Sequence, residues 1–365
     1  IPGIHTNLVA SLLPLFVGSS FSSSWTGVFL ISMGVTHTVT SILPNVYLGV
    51  CEGDDVVNVL PAHQLVMEGR GGDAVMANVF GGCVAACLGA LYFGMVVFFV
   101  GEVYPLVEAY LPLLLVVVTA YLIGRGSSLQ RSSIIVGLSA GLGYVVLTSP
   151  LNNAMFPLLS GLFGVPLLMA SEGDNVGGGD RSQGVDTACC RSGMIGSVLG
   201  LVTSMLPGVG SGVAASFGTR FVPRLPETYL GMTGAVDTAD FYLSLATLWA
   251  VEKARNGVVV VMDQMLGSFG FGVLVCSGVI AVGGAGLVTL TIQPHIPSLF
   301  DVVPYEYVSN GVVGVLGVLT VVMSGVRGFA VLIVASLLGL VAHWWGVPKI
   351  SMMACIVVPV FLFLV

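Results

Sequence analysis

Apolar stretches of bilayer length follow one another along almost the whole chain. They lie at roughly 25–43, 74–100, 103–124, 131–148, 155–170, 194–206, 228–250, 264–292, 305–323, 327–345 and 348–365. A helix needs about 20 apolar residues to cross the hydrocarbon core of a membrane, and inside lipid it must satisfy its own backbone groups. These stretches are apolar around the full helical circumference, so none offers the single stripe of a soluble surface helix. Only 8% of the 365 residues are charged, against about 25% in a soluble domain. That is too little polar surface to wet a globule, which excludes a cytosolic enzyme and a nucleic-acid binder. The expected fold is an all-α polytopic membrane protein of about ten to twelve transmembrane helices.

Three segments break the pattern. The first, 1–17, contains Pro2-Gly3. The second, 44–72, carries Glu52, Asp54 and Asp55 among Pro44, Asn45, Pro61 and His63. The third, 207–222, opens on Pro207-Gly208. Proline withholds a backbone donor and glycine reaches conformations that other residues avoid, so Pro-Gly at membrane depth breaks a helix. A polar stretch, SEGDNVGGGDRSQGVDTACCRSG at 171–193, has the composition of a linker. It divides the chain into a first repeat at 1–170 and a second at 194–365.

The halves echo one another. IPGIHTNLVASL at 1–12 aligns with LPGVGSGVAASF at 206–217, an offset of 205. Gly34-Val35-Thr36-His37-Thr38 aligns with Gly234-Ala235-Val236-Asp237-Thr238, an offset of 200. An apolar run, MIGSVLGLVTSML, precedes the second Pro-Gly, so a corresponding helix is expected ahead of Ile1. Arg70, Arg125, Arg131, Arg181, Arg191, Arg220 and Arg224 fall on one face if 194–222 enters and leaves on one side. The positive-inside rule makes that face cytoplasmic. Lys253 and Arg255 then lie opposite, against the rule. With this count the two Pro-Gly segments enter from opposite sides. The expected architecture is therefore two inverted-topology repeats with re-entrant or broken Pro-Gly hairpins, as secondary transporters have.

Free amides at a helix break suit an anion, because a helix N-terminus carries partial positive charge. Gly3, His5, Thr6 and Asn7 in one segment, and Gly208, Gly210 and Ser211 in the other, are the candidate substrate-binding residues, with Pro2 and Pro207 as the structural breaks. A plain helix kink is the alternative. Ionisable groups inside a span are costly and mark ion pathways or structural pairs. His37 with Thr38, and Asp237 with Thr238 and Asp240, are the candidate ion-coupling residues. Asp237 and Asp240 share a helix face, and His37 and Asp237 are repeat equivalents. A structural hydrogen-bonded pair holding the halves together is the alternative there. No metal-ligand spacing and no HExxH is present, and no His lies in the second half before His295 to act as a base for Ser211, so no enzyme, metal or cofactor is expected.

IPGIHTN, LPGVGSG, PAHQLVMEGRGGDAV, PLLSGLFGVPLLM and VEKARNG, in that order, resemble the large membrane subunit of tripartite tricarboxylate transporters, the TctA family, and its archaeal branch most closely. The resemblance implies a cell-membrane permease for small carboxylates such as citrate, driven by Na+ or H+. It also implies a small membrane subunit and an extracytoplasmic binding protein as partners. A homodimer is compatible with it, and nucleic acid is not a partner. A translocase for a polyprenyl-phosphate or similar anionic lipid carrier is the competing reading, since a phosphate fits a helix N-terminus equally well.

Overall fold

The computed structural model describes residues 6, 9–10, 23–47, 59–124, 128–170, 184, 187–203, 211–223, 225–253, 256–265, 270–296 and 305–364. Among the described residues the secondary structure is helical, without strands. The helices are α1 (Ser23–Thr40), α2 (Ile42–Tyr47), α3 (Val59–Met67), α4 (Gly71–Leu91), α5 (Phe93–Gly124) and α6 (Leu129–Thr148). Then come α7 (155–170, with a π-helical turn at Ser160–Gly164), α8 (Thr187–Thr203), α9 (Ser211–Gly218), α10 (Pro226–Val251), α11 (Gly257–Met265) and α12 (Phe271–Ile292). The stretch Tyr305–Trp344 is broken at Gly325, whose φ of 68° no continuous helix accommodates. It is two helices, α13 (305–324) and α14 (326–344), folded back so that Gly317 faces Phe329. The last helix is α15 (Ala354–Leu364).

Six helical stretches among the described residues are long and apolar enough to cross a membrane: Trp25–Tyr47, Gly71–Leu91, Phe93–Gly124, Leu129–Thr148, Gly272–His295 and Ser309–Trp344. The protein is a multi-pass integral membrane protein, and large apolar side chains such as Leu91, Phe98, Ile280 and Val326 point outward, as they do toward lipid. The expected gap between 74–100 and 103–124 is not where the chain breaks. The helix runs on through Gly101 and Glu102 and the interruption is at Tyr92. Gly101 has open space around it and Glu102 is exposed, so neither forces an end there.

Helix ends follow local chemistry. Gly69, at φ 73°, closes α3, with Arg70 N–H donating to the Leu65 carbonyl and Gly69 N–H to that of Val66. This is the Schellman pattern, and it delivers Arg70 to the start of α4. Pro226 and Glu227 open α10, where a missing donor costs nothing and an acid meets the positive helix end.

Lipid tails are as apolar as leucine, so helix association in a membrane rests on close packing rather than on water exclusion. Glycine supplies the approach here. A Cβ on Gly81 of α4 would overlap the Gly231 carbonyl oxygen of α10 and lie 2.7 Å from its carbon. The two helices run parallel: Asn78 meets Leu230, Gly82 meets Thr238 and Gly89 meets Tyr242. α1 and α12 also run parallel, with Ile31 beside Gly278 and Gln293 Nε2 donating to the Tyr47 hydroxyl at 2.8 Å. The two pairs are mutually antiparallel, since Gly278 lies on Tyr242 and Gly286 on Val79. α8 joins them parallel to α10, Ser192 against Gly231 and Gly200 against Ala239. The chain therefore returns to its starting level before α10 begins, and α9 packs along that return.

A second, outer group holds α5, α6, α7, α13, α14 and α15. α6 runs parallel to α15, with Arg131 donating to the Trp345 carbonyl ahead of α15, Gly143 against Cys355 and the Tyr144 ring beside that of Phe363, and α14 parallel to α7, with Gly161 against Ala335 and Gly339 against Pro166. The first half of α5 packs on α10 through Val96, Val100, Leu243 and Ala246, and its second half on α15 through Leu111, Leu115 and Val357.

Candidate functional site

α10 is the most enclosed long helix of the molecule: from Thr228 to Leu248 every described side chain is buried except Asp237 and Asp240, which are half-buried. It is absent from the six most apolar stretches because it carries the polar residues that the others surround. Thr233 and Thr247 return their hydroxyls to the carbonyls three residues back, at 2.9 Å each. Thr238 does not: its Oγ1 is buried without a hydrogen-bond partner. Asn78 of α4 donates from Nδ2 to the Leu230 carbonyl at 3.3 Å, while its Oδ1 is buried and unpaired.

α1 lies across this level. Gly34 admits the ring of Phe241, and Val39 and Thr238 both lie beside Gly82. The segment bearing His37 is thereby packed on the segment bearing Asp237 and Asp240. His37 is half-buried, and Thr38 donates to the Val35 carbonyl at 2.8 Å. The five residues expected to couple an ion thus sit on two contacting helices. Of the expected substrate-binding residues, Thr6 is helical and buried, and Ser211 is buried at the start of α9. Gly3, His5, Asn7, Gly208 and Gly210, with Pro2 and Pro207, lie outside the described residues, as do Glu52, Asp54 and Asp55.

An ion cluster closes the end of α4 and α10 where both helices begin. Arg70 Nε lies 2.8 Å from Asp73 Oδ2, Nη2 pairs with Glu227 Oε1, and Nη1 is 3.6 Å from Glu68. Asp73 is fully buried and takes a hydrogen bond from the Gly184 N–H of the linker at 3.1 Å. Burial works against the Arg70 charge, and the bonds and charges of Asp73 and Glu227 outweigh it and keep the guanidinium protonated. Lys253 sits at the other end of α10, paired with Glu108 and placed 5.2 Å from the Tyr104 ring centre. Arg70 and Lys253 thus stand at opposite ends of α10.

Sequence reasoning passed over Asn78, Asp73 and Glu227. Asn78 was visible as an amide inside an apolar span. The Arg70–Glu227 pair joins residues 157 apart and leaves no local trace. Among the described residues no group of three or more His, Cys, Asp or Glu could hold a metal ion.

The profile of the Tripartite tricarboxylate transporter TctA family matches residues 1–354. The chain belongs to the TctA family. An uncharacterized protein of Methanocaldococcus jannaschii is 24% identical over 325 residues, covering 84% of this chain and 79% of the relative. No solved structure matches. TctA is a transporter family, and a tripartite system implies further subunits and a binding protein beside this one.

Proposed function

We propose that this TctA chain is the permease of an ion-coupled carrier for a small organic anion, a di- or tricarboxylate, built from inverted repeats at 1–170 and 194–365 about a linker at 171–193. The observation that carries the reading is helix pairing. A shift of about 200 turns α1 into α10 and α4 into α12, and the parallel pair α4–α10 into the parallel pair α12–α1. The same shift turns α6–α15 into α14–α7, again parallel for parallel. Antiparallel equivalents, each packed on the other's partner, are what a pseudo-two-fold axis in the membrane plane produces. In this reading α8 and α9 form one re-entrant hairpin whose tip is Pro207-Gly208, and Pro2-Gly3 forms the tip of its counterpart.

Backbone amides around Gly3–Asn7 and Gly208–Ser211 hold the anionic group, with Thr6, Asn7 and Ser211 adding hydroxyl or amide bonds. Asp237 and Asp240, with His37 facing their level from α1, bind and release the coupling cation. A carboxylate that gains a cation loses its desolvation penalty, so the loaded site crosses the membrane more cheaply than the half-loaded one. The test is uptake of labelled citrate and other di- and tricarboxylates by the protein reconstituted in liposomes, under imposed Na+ or H+ gradients. Gradient-dependent accumulation is expected. Absence of uptake of every carboxylate, together with transfer of a polyprenyl-phosphate between leaflets, would replace this reading with the lipid-carrier one.

A further inference from the structure

We infer that the seam between α4 and α10 holds a monovalent metal cation, Na+, taken by the Asn78 side-chain oxygen and the Thr238 hydroxyl; the inference rests on the permease reading and adds a Na+ site on the helix that also bears Asp237 and Asp240. Threonine in an apolar helix ordinarily returns its hydroxyl to a carbonyl three or four residues back. Thr38, Thr40, Thr119, Thr233, Thr247 and Thr320 all do so. Thr238 and Thr289, both fully buried, do not; of the two, Thr238 lies in the α4–α10 seam beside Gly82. Its counterpart in the proposed repeat is Thr38, whose hydroxyl is closed on the Val35 carbonyl.

The Thr238 hydroxyl shares its level with a backbone carbonyl oxygen. The point where a Cβ on Gly82 would stand is 3.1 Å from Thr238 Oγ1, 3.6 Å from the Gly234 carbonyl oxygen and 3.7 Å from Val39. Glycine at 82 thus leaves two oxygens facing one spot on α4. One turn earlier, at about 5.4 Å along the helix, Asn78 lies against Gly234, with its Nδ2 spent on Leu230 and its Oδ1 unspent. Asn78 is 4% exposed and Thr238 is 0% exposed, so neither oxygen has bulk water to fall back on. Two unpaired oxygens in one seam, about a helical turn apart, cost about 1–3 kcal/mol each if left empty. A small hard cation accepts just such amide, hydroxyl and carbonyl oxygens. None of these donors titrates, so the set selects a metal ion over a proton. Asp237 precedes Thr238 in α10 and is half-buried.

The experiment uses the purified full chain without substrate. Thermal unfolding is followed in NaCl, KCl and choline chloride at constant ionic strength. Na+ is expected to raise the midpoint specifically. In Asn78→Leu and Thr238→Val the half-effective Na+ concentration should rise by about tenfold or more, the loss of one good ligand. Asn78→Asp and Thr238→Ser keep an oxygen in place and should retain the Na+ effect, which separates ligand loss from misfolding. Absence of any Na+-specific shift in wild type, or wild-type Na+ dependence in both Asn78→Leu and Thr238→Val, overturns the site. Carboxylate uptake measured alongside separates the two readings. Na+-driven uptake that both variants retain unchanged removes the site and leaves the permease. A Na+ shift lost in the variants, with no uptake by wild type, keeps the site and removes the carboxylate permease.

Discussion

The inner seam of α4 and α10 and the outer contacts of α6 with α15 and α7 with α14 are built by the same means and differ in what they leave unsatisfied. Both bring backbones together through glycine: Gly81 on Gly231 inside, Gly143 on Cys355 and Gly339 on Leu162 outside. In the outer group Ser139, Ser336 and Thr320 close on their own helices, and Ser351 donates to the Leu122 carbonyl at 3.1 Å. Ser132, in the first turn of α6, is the exception. The inner seam keeps Asn78 Oδ1 and Thr238 Oγ1 unpaired at its centre and Glu227 Oε2 unpaired at its end. Close packing alone thus does not mark the working part of the molecule. The proposed site is set apart by two unspent oxygens, Asn78 Oδ1 and Thr238 Oγ1, in one seam.

The largest effect should come from filling the seam. Gly81→Leu places a side chain on the Gly231 carbonyl, a backbone atom that cannot step aside. The loss should be about 3 kcal/mol or more, read as loss of a monodisperse peak on heating before size exclusion. Gly137→Ala and Gly141→Ala, in open space on α6, should leave that peak unchanged or raise its midpoint, since alanine gains about 0.5–1 kcal/mol over glycine in a helix.

Next comes the ion cluster. Asp73→Ala strips Arg70 of its most buried partner and should cost about 3–5 kcal/mol. Lys253→Ala, at the exposed end of the same helix, should cost less than about 1 kcal/mol. Equal losses in the same thermal assay would show that the two ends of α10 are not different in kind.

The smallest stability effect should come from the orphaned hydroxyl. Thr238→Val removes a buried group that makes no bond, so in Na+-free buffer it should be neutral or stabilising by about 1 kcal/mol. A marked loss of stability there would mean that Thr238 has a structural partner.

Much of this architecture was legible in the sequence because lipid imposes a simple rule. The expected spans 131–148, 155–170 and 305–323 with 327–345 match α6, α7 and α13 with α14, the last two divided by Gly325. The expected break in 44–72 coincides with the short helices α2 and α3. The boundary at 100–103 was misplaced because a glycine and a glutamate mimic a helix end, and only the packing shows that neither disturbs α5. His37, Asp237 and Asp240 stood out because charge in an apolar run is conspicuous. Asn78 did not, because its meaning lies in Leu230 and Gly234, some 150 residues away. Hydropathy even demotes α10, whose polar residues are affordable only because other helices enclose it.

The most direct test of the account compares wild type with Asp237→Asn in liposomes, following labelled carboxylate uptake with and without a Na+ or H+ gradient. Asparagine keeps the size and the hydrogen bonding and removes the charge. The account predicts folded protein that still binds or exchanges substrate and no longer accumulates it against a gradient. Uptake with undiminished gradient dependence in Asp237→Asn would contradict it.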